Sequence, residues 1–136
     1  GSFRYSHNRT VLHTDETALP VARGAWASWN SDIEDCTAAG APVSVTYHLN
    51  RLQSLPGEVQ FCVSLNRARP IGGTVLASMD YTHPILDRAA VAAQAGVAAL
   101  NGARHTFYAG AHLRHGFHED GLVSALAVAR HFGIFL

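Results

Sequence analysis

Val43-Ser44-Val45-Thr46-Tyr47-His48-Leu49-Asn50 alternates apolar and polar residues at every step. Val43, Val45, Tyr47 and Leu49 fall on one side, and Ser44, Thr46, His48 and Asn50 on the other. Successive side chains of a strand point to opposite faces, so a period of two predicts a half-buried strand with its apolar set on a core. The polar side is then either solvent-facing or the roof of a pocket. Downstream, Gln60 to Leu65 repeats the pattern through Phe61, Val63 and Leu65, and Val75 to Tyr81 repeats it through Val75, Ala77, Met79 and Tyr81. Upstream, Phe3-Arg4-Tyr5 and Val11-Leu12-His13 read as short strands on either side of a polar turn, Ser6-His7-Asn8-Arg9.

Between these strands, Ala25-Trp26-Ala27-Ser28-Trp29-Asn30 carries both tryptophans, three residues apart. On a strand they face opposite sides, so at least one packs in the core while the other is free to wall a cleft. The polar, turn-rich stretch from Ser31 to Pro42 reads as a loop, and Leu52 to Leu55 as a helical turn closed by Pro56-Gly57. Pro84, after His83, sits where a helix can begin, since a first helical turn tolerates proline. Ile85 to Leu100 is alanine-rich, and Asn101-Gly102 ends it. Thr106-Phe107-Tyr108-Ala109 reads as a short strand entering Gly110, followed by a loop through Gly116. A second helix then runs from near Glu119-Asp120 to about His131, with Leu122, Leu126 and Ala129 at helical spacing. The expected fold class is α+β: a mostly antiparallel sheet from about residue 3 to residue 81, then two helices. No internal repeat or low-complexity linker interrupts it.

The 136 residues are 48% hydrophobic and 15% charged, which excludes a disordered chain. All ten basic residues are arginine, ten acids balance them, and no arginine run emerges, which argues against an electrostatic nucleic-acid binder. No apolar run approaches the roughly 18 residues of a membrane span, and no signal-peptide pattern opens the chain. Cys36 and Cys62 make neither a disulfide framework nor a zinc ribbon. A cytoplasmic chain in a reducing compartment is the expectation. Gly1-Ser2 reads either as a cleavage scar or as native sequence.

The segment from Phe107 through Gly110-Ala111 and Gly116-Phe117-His118-Glu119-Asp120-Gly121-Leu122-Val123 to Ala125 resembles the C-terminal flavin-binding element of the FAD-dependent amine oxidase superfamily. More narrowly, the chain resembles predicted NAD/FAD-binding flavoproteins related to amine oxidases and phytoene desaturases, the type that accompanies cyclopropane fatty acid synthases. Val11 to Asp15, Ala25 to Asn30, Val45 to Gln53 and Tyr81 to Pro84 carry the same likeness, which spans about residue 3 to residue 133. The resemblance implies that Gly110 and Ala111 run along the cofactor chain, and that Gly121, Leu122 and Val123 offer backbone to the flavin ring. A glycine lets backbone approach a cofactor closely, and a positive helix end stabilises the negative charge of reduced flavin.

Two departures accompany the likeness. Many members of the superfamily carry an acid where this chain has Ala111. The G-x-G-x-x-G of a dinucleotide-binding βαβ unit is also missing, Gly72-Gly73 being the only paired glycines. The resemblance therefore implies a fragment. Residues 1–104 would be the sheet and helix of a substrate domain, and residues 105–136 the strand, loop and last helix of the FAD-binding part. The whole would be an oxidoreductase that moves a hydride from an amine or acyl-chain substrate to flavin, inactive as this chain alone. Its partner would be the missing dinucleotide-binding domain or a second copy.

The rival reading rests on His112-x-x-His115-x-x-His118, which zinc or nickel would accept if the rings converged. Steps of three rotate around a helix, and Gly116 argues against a helix there, so ordinary loop histidines are the plainer expectation. The alternative function is accordingly a non-enzymatic histidine-rich metal-binding or protein-interaction module. Glu119 and Asp120 are also ordinary helix-capping residues, Asn50-Arg51 is suited to an acidic group or a surface ion pair, and Cys62 reads as a buried, inert thiol.

Overall fold

The computed structural model describes residues 1–33, 37 and 43–135; Cys36 and most of the loop expected from Ser31 to Pro42 lie outside the described residues. Five strands form one sheet: β1 (Arg4–His13), β2 (Trp29–Ile33), β3 (Val43–His48), β4 (Cys62–Leu65) and β5 (Val75–Ile85), in the order β2-β3-β4-β1-β5. The β1–β4, β2–β3 and β3–β4 pairs are antiparallel. The helices are α1 (Leu49–Gln53), α2 (Arg88–Leu100) and α3 (His118–Arg130). An α+β fold results. The chain divides into a sheet body, His7–Tyr81, and a helical body, Gly1–Ser6 with Thr82–Leu136, so the division cuts β1 and β5.

Several expected boundaries shift for identifiable reasons. The turn expected at Ser6 to Arg9 does not form: β1 runs through it unbroken. The stretch contains no glycine or proline, and Asn66 clamps it, donating its N–H to the Arg9 carbonyl at 2.9 Å and accepting the Arg9 N–H at 3.1 Å. Pro84 does not start a helix but lies within β5. The helix opens at Arg88 instead, where the Asp87 carboxylate accepts the Ala90 N–H at 2.8 Å. Leu49 and Asn50 leave the strand for α1. Thr106 to Ala109 is not a strand; strand-forming composition alone supplies no ladder partner.

The largest correction concerns which side of the sheet is covered. In β3 the buried residues are Ser44, Thr46 and His48, and in β4 they are Cys62 and Ser64. Register aligns Val11, Ser64, Thr46 and Asn30 in one row across the sheet, and His13, Cys62 and His48 in the next. The expected core positions Val45, Tyr47, Phe61, Val63 and Leu65 are only half-buried, and Val43 and Trp29 are exposed. The sheet body thus encloses its polar face and leaves its apolar face partly open.

Its centre holds because the polar groups bond one another. Ser64 Oγ lies 2.8 Å from His13 Nε2 and 2.7 Å from Thr46 Oγ1. The Asp15 carboxylate accepts from the Gly72 and Thr17 N–H groups at 2.8 and 2.9 Å and from the Thr17 hydroxyl at 2.7 Å. Gly73 is required beside it: a Cβ there would stand 2.6 Å from the Asp15 backbone nitrogen.

Candidate functional site

The element singled out by the resemblance lies wholly in the helical body. Gly110 adopts φ 155°, ψ 158°, a conformation open to glycine and few other residues. Its N–H donates to Ser124 Oγ at 2.8 Å, and the Ser124 hydroxyl donates to the Gly121 carbonyl at 2.8 Å, which staples the glycine to α3. A Cβ at Gly110 would stand 2.6 Å from the His112 ring. From α2, Gln94 donates to the His112 and Arg114 carbonyls at 3.0 and 2.7 Å, holding the loop between.

Helix α3 opens at His118, with Phe117 at its N-cap position. Phenylalanine has no acceptor, and Asp120 does the capping from within: its Oδ2 accepts the Phe117 N–H at 3.0 Å and the His115 N–H at 3.2 Å. Its Oδ1 lies 3.6 Å from Arg114 Nε. The carboxylate is buried and turned back onto the loop. The Gly121 N–H is already bonded to the Phe117 carbonyl at 3.2 Å. Leu122 and Val123 follow inside the helical ladder, so the amides with no carbonyl partner within the helix are those of His118, Glu119 and Asp120. Sequence reasoning assigned the amide role to Gly121, Leu122 and Val123, and the helix start puts it three residues earlier.

A cavity of about 200 Å³ lies here, lined among others by Gln94, Asn101, Tyr108, Val123 and Ser124. That falls below the roughly 300 Å³ at which small-molecule pockets begin. Gly110, His118, Glu119 and Asp120 do not line it. Ala111 is half-buried against Gly121, where a Cβ would meet it at 3.8 to 3.9 Å, an ordinary contact.

His112, His115 and His118 do not gather. His112 packs edge-on against Phe3 with centroids 5.0 Å apart, and His115 and His118 are exposed. Among the described residues no group of three or more His, Cys, Asp or Glu side chains is arranged to hold a metal.

Sequence reasoning missed the His13 network. His13 is fully buried, and its Nδ1 accepts the Asp15 N–H at 3.1 Å. The neutral ring therefore carries its proton on Nε2 and donates it to Ser64. A serine nucleophile needs the opposite polarity, with the imidazole accepting from the hydroxyl, so this pair is structural. Burial lowers the His13 pKa, Asp15 opposes that and Arg67 adds to it. Burial, reinforced by Asp15 and Glu16, pushes the Cys62 thiol up to about 11, leaving it protonated and inert. Only strand register brings these residues together, and no local spacing announces them.

The other candidates resolve individually. Trp26 is half-buried, donates its indole N–H to the Pro20 carbonyl at 2.7 Å and meets His48 edge-on; Trp29 is exposed. His48 Nε2 lies 2.7 Å from Gln60 Oε1, and its buried Nδ1 has no partner. The Asn50 amide donates to the Val59 carbonyl at 2.9 Å and accepts the Phe61 N–H at 2.7 Å, a loop clamp.

No protein-family model matches the chain, and no curated protein matches it. Among the described residues no helix is long and apolar enough to cross a membrane.

Proposed function

We propose that the chain is one portion of an FAD-dependent oxidoreductase, completed when a dinucleotide-binding domain covers the helical body. One observation carries this reading: large apolar side chains stand in solvent around the opening of α3 and beyond its end. Phe117 is 66% exposed and Leu122 51%, on either side of the helix start, and Phe132 and Phe135 are 62% and 75% exposed. Burying each is worth about 1.5–3 kcal/mol, a strong drive toward a partner.

In the completed protein FAD would accept a hydride from substrate, the chemistry belonging to the cofactor. This chain would supply position and field. Gly110 lets backbone approach, and the His118, Glu119 and Asp120 amides present the positive end of α3. The Asp120 carboxylate, accepting the Phe117 and His115 N–H groups, would hold the loop that enters the helix. An amine or an acyl chain is the substrate class the resemblance favours.

The test is flavin absorbance at about 450 nm, measured on the 136-residue chain and on the same chain joined to a G-x-G-x-x-G domain encoded upstream of it. The reading expects little or no flavin on the chain alone and near-stoichiometric flavin on the completed protein. Stoichiometric FAD on the chain alone, or a colourless completed protein, overturns it.

A further inference from the structure

Arg9, Arg67 and Arg69 converge on one pocket of about 270 Å³ in the sheet body, whose apolar wall includes Val11, Ile71 and Val75. Strand β1 supplies Arg9 and the turn after β4 supplies the other two; the Arg9–Asn66 backbone bond fixes that turn against the strand. Like charges gathered in a concavity repel, so something must offset them. Inside the body the offset is partial: the Asp15 carboxylate lies near enough to Arg67 for the arginine charge to help lower its pKa, and Arg69 is not free. Asp32 stands 3.9 Å from Arg69. Arg67 Nη2 makes only long contacts to the Thr17 carbonyl and hydroxyl, at 3.4 and 3.3 Å, and its Nε is buried with no partner. Among the described residues, no hydrogen bond or ion pair engages the Arg9 guanidinium.

We infer that this pocket is an anion site for a small carboxylate on a short apolar stem. A guanidinium fork matches a carboxylate in a bidentate, charge-assisted pair, and the exposed Arg9 fork, unengaged among the described residues, can make one. The Val11, Ile71 and Val75 wall suits an apolar stem and gives a hydrated inorganic anion no advantage. The volume, just under the usual small-molecule range, limits the ligand to a few carbons beyond the carboxylate. The site is independent of the flavin reading, since every lining residue belongs to the sheet body.

The experiment titrates the full chain with pentanoate, 1-pentanol and inorganic phosphate, following the arginine side-chain Nε–Hε resonances. Pentanoate is expected to saturate in the millimolar range and to shift Arg9 and Arg67. Arg9→Gln and Arg67→Gln should each weaken it by roughly fivefold or more. Because Arg67→Gln also touches a buried group, the exposed Arg9 is the deciding position. Pentanol should leave the arginine resonances unmoved, and phosphate should bind more weakly than pentanoate. Absence of saturation by about 50 mM, pentanol equal to pentanoate, phosphate tighter than pentanoate, or unchanged affinity in Arg9→Gln each overturns the inference.

Discussion

In the sheet body His13, Cys62 and Ser64 are sealed from solvent, with Thr46, His48, Asp15 and Asn30 close behind. In the helical body only Ala90 and Asp120 are buried among the described residues, while Leu100, Phe117, Leu122, Phe132, Ile134 and Phe135 each stand more than half exposed. One body is held by a buried polar network and the other by local staples: Gly110 to Ser124, Gln94 to two carbonyls, Asp120 to two amides. Stability should therefore concentrate in the first and dependence on a partner in the second.

The sharpest way to break that contrast is His13→Ala. It opens a cavity and leaves the Asp15 N–H without its acceptor and Ser64 without its donor, so the sheet body should lose about 3–5 kcal/mol in denaturant unfolding. A loss below about 1 kcal/mol would mean the network is incidental. Next comes a matched pair of glycines. Gly73→Ala forces a Cβ to 2.6 Å from the Asp15 nitrogen and should destabilise by about 1–3 kcal/mol. Gly121→Ala meets only ordinary contacts on a helix and should be neutral or stabilising by up to about 1 kcal/mol. Equal losses at the two positions would erase the distinction.

The polar centre should also respond to pH. Burial depresses the His13 pKa below 6.5, so above that value folded and unfolded chains are both neutral there and no penalty operates. Below it the unfolded chain binds a proton the fold refuses, and stability falls as pH falls, by at most about 1.4 kcal/mol per pH unit until the folded pKa is reached. Burial alone would raise the Asp15 carboxyl, but the Gly72 and Thr17 N–H groups and the Thr17 hydroxyl together hold it below 3.8. Its contribution is complete above that value and is lost as pH falls through the lower folded value. Unfolding curves between pH 7 and pH 5, wild type against His13→Gln, isolate the histidine part; identical pH slopes would contradict it. The smallest stability effect is expected at Leu122→Ser, within about 0.5 kcal/mol because the side chain already faces water. The same change should reduce concentration-dependent association seen by light scattering, and a strict monomer in both forms would count against a partner surface.

The alternation in Val43 to Asn50 and Gln60 to Leu65 located the strands to within two residues, because side-chain period is a local property. It misassigned their faces, because which face is covered depends on register and on what packs above. The covering partners of Ser64 include His13, 51 positions away. Asp120 was legible as a capping acid, a local requirement, whereas the positive φ of Gly110 was not. The unbroken β1 was not legible: its polar middle is held by Asn66 from across the sheet. Thr106 to Ala109 misled for the converse reason, carrying strand-forming residues with no neighbouring strand to pair with.

Whether the Gly110 to Val123 element borders a flavin in the completed protein is tested most directly at Gly121. Flavin occupancy and thermal unfolding would be measured on the protein completed with its dinucleotide-binding domain, for wild type, Gly121→Ala and Gly121→Leu. The Cβ direction at 121 meets Ala111 in ordinary contact, so Gly121→Ala should keep its occupancy and its unfolding temperature. The longer side chain of Gly121→Leu displaces the Gly110-Ala111 turn, and occupancy should fall further than the unfolding temperature does. Full occupancy in Gly121→Leu, or a loss that follows the unfolding temperature, would contradict a flavin border here.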